Sequence, residues 1–282
     1  MIKNEMDRWK PLSKNQVLIK KKPLTALHFD VHVVEHCNLN CKGCNHLSPL
    51  AEEEYADIDS IRNDFERLYS LNIPVECILF LGGEPLLAPE NLLNEMFNLG
   101  HKYFPLSRLL LLTNGIRIPH MKELFWDSCR RNYIEIRITK YPINLNYDCL
   151  RKIITSHNVK CSFSLDGDTK DIFRSIPIDL SGSQNPVLNY TRCKRGNACI
   201  ILQKGKLYTC TLPCVIRHFN KKYDKNLVVT ESDYVDIYKA QSAEEILTKL
   251  SNPIPFCRYC NIDNYIESFE WGRSAKNINE WT

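Results

Sequence analysis

The sequence predicts an α/β protein in which short strands alternate with helices, followed by a smaller part rich in cysteine. Up to about residue 190, apolar runs of strand length are separated by amphipathic segments with helical spacing, the pattern of parallel βα units. Beyond that point the alternation stops and six cysteines follow. We therefore expect an N-terminal arm over 1–26, a first domain over 27–190 and a second domain over 191–282.

The predicted elements follow in order along the first domain. The apolar run 28–34 is the first strand, and a helix begins near Asp57, because Ile58, Ile61 and Phe65 recur at helical spacing. Further strands are predicted over 75–81, 109–113, 134–139, 159–164 and 186–191, and further helices over 89–103, 120–131 and 147–156. This gives six βα units with parallel pairing.

Three cysteines follow the first predicted strand, with the spacing Cys37-x3-Cys41-x2-Cys44. Thiolates bind soft metals and iron–sulfur clusters, and three on one loop can hold three irons of a four-iron cluster. The fourth iron then lacks a protein ligand and is open to a small molecule. The alternative is a zinc site, with His36 or His46 as the fourth ligand; neither histidine is assigned a catalytic role.

The triplet resembles the signature of the radical S-adenosylmethionine (SAM) superfamily, although Gly43 stands where that family usually has an aromatic residue. The resemblance implies an incomplete (β/α)6 barrel, a [4Fe–4S] cluster and bound SAM. Gly82-Gly83-Glu84, after the second strand, resembles the element that contacts the amino group of SAM. The polar residues implied to contact the carboxylate or ribose of SAM are Asn114, Arg137, Thr139 and Ser164.

A second group of cysteines surrounds a predicted β-hairpin over 200–209 that turns at Gly205. The spacing of Cys193, Gly205 and Cys210 resembles the opening of the SPASM and twitch extensions of radical SAM enzymes. With Cys257 and Cys260, which follow a predicted helix over 243–250, four thiolates would complete one auxiliary iron–sulfur cluster. A zinc knuckle remains the alternative, and Cys199 or Cys214 could replace one ligand.

Composition restricts the function classes. The chain has 282 residues, 44% of them hydrophobic and 25% charged, with a net charge of +4. No dense basic block indicates nucleic-acid binding, and no long apolar segment indicates a membrane span. The 13 cysteines in a chain without a recognisable signal peptide favour the reducing cytoplasm, where cysteines act as metal ligands or core residues.

The resemblance implies that the reduced cluster cleaves SAM to a 5′-deoxyadenosyl radical, which abstracts a hydrogen atom from substrate. An external donor such as flavodoxin or ferredoxin would supply the electron. The expected reaction is oxidation, epimerisation or rearrangement of a carbohydrate or small metabolite, with a cell-surface polysaccharide pathway suspected. The residues before the first strand are too few for a leader-binding domain. A peptide-modifying radical SAM enzyme and a non-catalytic zinc-binding interaction protein are the alternatives.

The aromatic and cationic segment 269–274 is expected to pack on the second domain.

Overall fold

The computed structural model describes residues 23–282, so most of the predicted N-terminal arm lies outside the described residues. Its centre is a parallel sheet whose first five strands follow the predicted order. These strands are β1 (Leu27–Val34), β2 (Val75–Gly82), β3 (Arg108–Thr113), β4 (Glu135–Ile138) and β5 (Lys160–Phe163). Each pairs in parallel with the next, which confirms the α/β class predicted from the sequence.

Four helices connect these strands and pack on one face of the sheet. They are α1 (Ile58–Ser70), α2 (Glu90–Tyr103), α3 (Glu123–Arg131) and α4 (Tyr147–Ser156). Asp57 caps α1, accepting a hydrogen bond from the backbone of Asp59. Alternate strand residues face the helices, so that the ring of Phe29 contacts Phe65 edge-on, with 6.1 Å between centroids.

The opposite face of β4 and β5 carries polar side chains. Arg137 lies opposite Ser162 in the register, and its Nε lies 3.4 Å from that hydroxyl. Two residues further on, the Thr139 hydroxyl donates to the Ser164 hydroxyl at 3.0 Å. Because side chains alternate along a strand, Ile136 and Ile138 point into the helix-covered core and leave this polar surface on the other side.

The predicted sixth strand at 186–191 is wrong, because this segment forms helix α5 (Pro186–Arg192). Asn185 caps α5 by accepting from the backbone of Leu188, and Pro186 occupies its first turn, where proline is favoured. The sixth parallel strand comes from later in the chain. It is β7 (Ile200–Gln203), which pairs with β1 on the side opposite β2.

The predicted hairpin is confirmed, with β7 paired to β8 (Lys206–Tyr208) through a turn at Lys204 and Gly205, both with positive φ. β9 (Tyr234–Asp236) then pairs with β8 and completes the eight-stranded order β5-β4-β3-β2-β1-β7-β8-β9. The hairpin therefore extends the sheet of the first domain.

The remaining elements are two helices and a small second sheet. They are α6 (Thr211–Tyr223), α7 (Ala243–Leu250), and a two-stranded antiparallel sheet of β6 (Ile172–Ser175) and β10 (Ile266–Glu270). Helix α7 has the predicted bounds, whereas α6 and the small sheet were not predicted. Within residues 23–282, no helix is both long and apolar enough to cross a membrane.

Candidate functional site

The cysteine loop, defined as residues 37–44, leaves the carboxyl end of β1. The Cys41 side chain is buried, and those of Cys37 and Cys44 are partly buried, in an apolar and aromatic surrounding that includes Leu39 and Phe173. The backbone N–H of Leu39 lies 3.5 Å from Sγ of Cys37. The structure thus brings the three predicted ligands together at the edge of the sheet where parallel βα folds carry their functional groups.

Burial raises the pKa of the Cys37 thiol to about 12 and that of the Cys41 thiol to about 11. A free thiolate is therefore disfavoured in this loop, and an electropositive partner is needed to hold these sulfurs in the anionic form. Metal coordination deprotonates a thiol outright. Three convergent thiols in an apolar environment fit an iron–sulfur cluster, since thiolates are its usual ligands.

Gly82 and Gly83 join the end of β2 to the start of the cysteine loop. A Cβ on Gly82 would lie 2.1 Å from the carbonyl oxygen of Val34, and one on Gly83 would lie 1.9 Å from that of His36. The Gly83 N–H donates to Val34 at 2.9 Å, and the Glu84 N–H donates to His36 at 3.0 Å. Both glycines are thus required by a close contact between two backbones within the protein.

The Glu84 carboxylate is buried and binds the end of β3. It accepts hydrogen bonds from the Thr113 hydroxyl at 2.6 Å, the Asn114 N–H at 2.8 Å and the Leu86 N–H at 3.1 Å. Burial raises the pKa of Glu84 to about 7, and these hydrogen bonds oppose that increase. The predicted contact of Glu84 with SAM would be made by a side chain that the protein already holds in place.

Asn114 lies at the junction of β3 and the cysteine loop. Its side-chain amide donates to the Asn38 side chain at 2.8 Å, and its carbonyl oxygen accepts from the Ile116 N–H. The two other predicted SAM contacts on this side, Thr139 and Ser164, lie at the ends of β4 and β5 and bond to each other. Arg137 lies deeper and also approaches the Glu135 carboxylate, at 3.6 Å.

The segment 266–281, called the C-terminal strap below, crosses the cysteine loop. Residue 41 forms an antiparallel bridge with Arg273. The Trp271 indole N–H donates to Sγ of Cys41 at 3.1 Å, and the Trp281 indole N–H donates to the carbonyl oxygen of Cys44 at 3.0 Å. The expectation that segment 269–274 packs on the second domain is therefore wrong; it covers the first cysteine site.

Gly43 makes room for an aromatic ring from the strap. Its φ is +61°, and a Cβ built on it would lie 2.7 Å from Cζ of Phe269. An aromatic side chain therefore lies against position 43, although it comes from a distant part of the sequence. Only the folded chain shows this, because no local pattern connects residues 43 and 269.

Tyr141 and Lys170, which no sequence motif indicates, also belong to this site. Burial raises the pKa of the Tyr141 hydroxyl, and the charges of Cys41, Cys44 and Cys37 raise it further. Burial lowers the pKa of Lys170, while Cys44 and Cys41 act against that decrease. Both side chains therefore lie within electrostatic range of the loop sulfurs, with the Lys170 ammonium 5.8 Å from the centre of the Tyr141 ring.

The second group of cysteines converges between α5, the hairpin and residues 257–260. Burial raises the pKa of Cys210, and Cys257, Cys260 and Cys193 raise it further by their negative charges. Burial also raises the pKa of Cys260, and the negative charges of Cys193 and Cys257 raise it further. The structure thus brings the four predicted auxiliary ligands together.

Hydrogen bonds from backbone and side-chain N–H groups hold these cysteines. The N–H groups of Arg195 and Gly196 lie 3.3 and 3.4 Å from Sγ of Cys193. The Asn189 side chain donates to the carbonyl oxygens of Cys257 and Cys260, which fixes the last cysteine pair against α5. Such N–H donors stabilise negative charge on sulfur.

Cys214 is placed apart from this group. It is buried on α6 and lies 3.3 Å from Oε1 of Gln203, and the charged groups near it are Glu35, Arg217, Glu54 and Lys204. Cys199 is partly buried at the start of the hairpin. Cys214 therefore has the position of a core cysteine.

A buried polar network connects β1, and His46 just after the cysteine loop, with α6. Nδ1 of His46 lies 3.0 Å from Nε2 of His32, whose Nδ1 lies 3.2 Å from the Glu35 carboxylate. The same carboxylate lies 3.1 Å from Nε2 of His218 on α6 and accepts from the Gln203 amide at 2.9 Å. Burial lowers the pKa of His46 to about 3, so this ring is neutral.

The two histidines considered as zinc ligands thus lie in other contacts. His46 belongs to the network, and the His36 ring packs edge-on against Tyr55. In the described part of the chain, no three His, Cys, Asp or Glu side chains are placed to hold a single metal ion. An iron–sulfur cluster, by contrast, places each thiolate on a separate iron.

No protein-family model and no curated protein matches the chain. Among solved structures, it is similar to BtrN in complex with AdoMet and 2-DOIA, with 17% identity and a TM-score of 0.48 over 87% of this chain and 100% of that one. It is also similar to native anSMEcpe with bound AdoMet and the Cp18Cys peptide, with 17% identity and a TM-score of 0.38. That alignment covers 48% of this chain and 41% of the other.

Streptococcus suis SuiB bound to S-adenosylmethionine is a third similar structure, with 15% identity and a TM-score of 0.38 over 49% of this chain and 33% of that one. The chain thus spans less than half the length of anSMEcpe and SuiB. All three structures contain bound AdoMet. At such low identities and TM-scores, the functional assignment depends on the site residues themselves.

Proposed function

We propose that the protein is a radical SAM enzyme with one auxiliary iron–sulfur cluster. The observation that carries this proposal is the joined arrangement of the cysteine loop and Gly82-Gly83-Glu84 at the carboxyl edge of the parallel sheet. Cys37, Cys41 and Cys44 would hold the [4Fe–4S] cluster and leave one iron for SAM. In the fold, the first domain would correspond to the partial barrel of that superfamily.

The bound cluster and SAM would supply an electron and a 5′-deoxyadenosyl radical that abstracts a hydrogen atom from substrate. The residues of the protein would bind and orient SAM and the substrate. Backbone groups of Gly82 and Gly83 lie beside the cysteine loop, and Glu84 is fixed by Thr113 and Asn114 near the same edge. The strap covers the loop at Cys41, whose side chain is buried.

For the substrate, we propose a carbohydrate or another small hydroxylated metabolite. The inner face of β4 and β5 carries Arg137, Thr139, Ser162 and Ser164, whose guanidinium and hydroxyl groups are donors and acceptors suited to a polyol. Oxidation, epimerisation and rearrangement are the reaction types proposed. A peptide substrate is the alternative outcome of a substrate screen.

The four cysteines Cys193, Cys210, Cys257 and Cys260 would hold the auxiliary cluster in a twitch-like second domain. With all four irons bound by protein, this cluster has no open position, so its proposed role is electron transfer. An external flavodoxin or ferredoxin in the cytoplasm would reduce the enzyme.

The experiment is performed on anaerobically purified and reconstituted protein. Iron, acid-labile sulfide and zinc are measured per chain, and 5′-deoxyadenosine is measured after addition of SAM and dithionite. We expect about eight iron per chain, as two four-iron clusters require. In Cys41→Ala, cleavage of SAM should be lost while the absorbance of the auxiliary cluster remains; in Cys257→Ala, cleavage should continue with about half of the iron.

Cys149→Ala serves as the matched control, because Cys149 is an exposed cysteine on α4. This variant should keep the full iron content and the full cleavage activity. Stoichiometric zinc without sulfide would refute the proposed enzyme and would indicate a zinc-binding protein instead. Unchanged 5′-deoxyadenosine formation in Cys41→Ala would show that the cysteine loop does not take part in the reaction.

A further inference from the structure

The C-terminal strap is joined to the cysteine loop through both backbone and side chains. The Lys42 N–H donates to the carbonyl oxygen of Gly272 at 2.8 Å, and the Ser274 N–H donates to that of Asn40 at 2.7 Å. These two bonds lie on either side of Cys41 and fix the strap beside it. Trp271 is thereby held next to a predicted cluster ligand.

The side chain of Trp271 is directed at the sulfur of Cys41. Its indole N–H lies 3.1 Å from Sγ, and its backbone N–H donates to the carbonyl oxygen of Asp171 at 2.6 Å. The ring also lies near that of Tyr141, with 6.3 Å between centroids. An indole N–H is a donor only, so in these aromatic surroundings the sulfur is its hydrogen-bond acceptor.

A donor at this place acts on the charge of the sulfur. Reduction of an iron–sulfur cluster adds one negative charge, part of which lies on the coordinating sulfurs. A hydrogen bond to such a sulfur stabilises the reduced form more than the oxidised form, and so raises the reduction potential. Cys37 instead lies near a backbone N–H, that of Leu39. No substitution removes that N–H except proline.

We propose that Trp271 is a positioning residue that raises the reduction potential of the cluster on the cysteine loop, through its hydrogen bond to Sγ of Cys41. This inference rests on the proposed function, because it requires a cluster at Cys37, Cys41 and Cys44. The reduction potential of that cluster would then depend on a residue of the strap, which follows the auxiliary cysteines in the sequence.

The chain offers a matched control for this effect. Trp281, on the same strap, donates its indole N–H at 3.0 Å to the carbonyl oxygen of Cys44 and not to a sulfur. Trp281→Phe and Trp271→Phe therefore each remove an indole N–H that donates to the cysteine loop. Only the second variant removes a donor from a cluster sulfur.

The test uses the reconstituted full-length protein under anaerobic conditions. Iron and acid-labile sulfide are measured first. The reduction potential is then determined by redox titration, following the electron paramagnetic resonance signal that shifts when SAM is added, since that signal belongs to the cluster with an open iron. In Trp271→Phe, the potential should become more negative with full iron content, while Trp281→Phe should keep the wild-type value.

An unchanged potential in a fully loaded Trp271→Phe protein would overturn the inference, as would an equal shift in Trp281→Phe. If Trp271→Phe does not retain its cluster, 3-benzothienylalanine at position 271 preserves the ring shape without the N–H and decides the question in the same way. Absence of iron and sulfide from the wild-type protein would instead refute the proposed function itself.

Discussion

Substitution of Gly83 by alanine is expected to displace the start of the cysteine loop. The new Cβ would lie 1.9 Å from the carbonyl oxygen of His36, which is backbone and cannot rotate away. His36 directly precedes Cys37, so its displacement moves a predicted cluster ligand. The backbone bonds from Gly83 to Val34 and from Glu84 to His36, 2.9 and 3.0 Å long, would be strained or broken.

The expected cost follows from these contacts. Each lost hydrogen bond reduces the free energy of unfolding by about 1 kcal/mol. Overpacking against the fixed backbone adds about 1–3 kcal/mol. We therefore expect a loss of about 3–5 kcal/mol, a large part of the stability of about 5–15 kcal/mol that is usual for a domain.

The measurement is equilibrium urea unfolding of anaerobic protein, followed by circular dichroism, together with the iron content after reconstitution. Gly272→Ala is the matched control, because a Cβ at Gly272 would meet no atom within 4 Å and this glycine also lies beside the cysteine loop. If Gly83→Ala unfolds at the same urea concentration as Gly272→Ala and binds the same amount of iron, the close contact does not determine the position of the loop.

Three other predictions test separate parts of the structure. Glu84→Gln removes a buried acceptor and should cost about 1–3 kcal/mol of stability while weakening SAM binding, which thermal unfolding with and without SAM measures; equal binding would exclude Glu84 from the SAM site. Burial raises the pKa of Asp30 from 3.8 to about 7, opposed by His32, so its contribution is fully present below pH 3.8 and is lost as the pH rises towards 7. The wild-type free energy of unfolding should therefore fall by at most about 4 kcal/mol across that range relative to Asp30→Asn, and parallel pH profiles would contradict this. Cys210→Ser should lose the auxiliary iron, whereas Cys214→Ser should keep it. The reverse result would show that Cys214, and not Cys210, is the ligand.

The elements that the sequence predicted well are those with a local signal. Helix α1 begins at its capping residue Asp57, and α4 and α7 have the predicted bounds, because an apolar stripe and a capping side chain are properties of neighbouring residues. The hairpin turn at Gly205 is local in the same sense. The cysteine loop could be selected because its three cysteines are close together in the sequence, and the second group because its cysteines surround the predicted hairpin.

The structure differs from the sequence-based expectations at α5, α6 and β7, where a local signal is ambiguous or the contact joins distant residues. Asn185-Pro186 is a cap followed by a first-turn proline, so α5 could have been recognised, whereas its apolar residues favoured a strand. Helix α6 carries Val215, Ile216 and Phe219 at helical spacing, a local signal that stands among the closely placed cysteines. Pairing of β7 with β1 has no local signal, since a short apolar strand does not specify its neighbour.

The strap also sets an order of events during synthesis of the chain. Trp271 lies 230 residues after Cys41, and Trp281 lies 237 residues after Cys44. At a translation rate of about 5–20 residues per second, the cysteine loop leaves the ribosome roughly 10–50 s before these two indoles are made. During that interval the loop sulfurs are accessible from the side that the strap later covers. Iron and sulfide therefore reach the loop sulfurs most easily before residues 266–281 are made, and folding of the strap then covers Cys41.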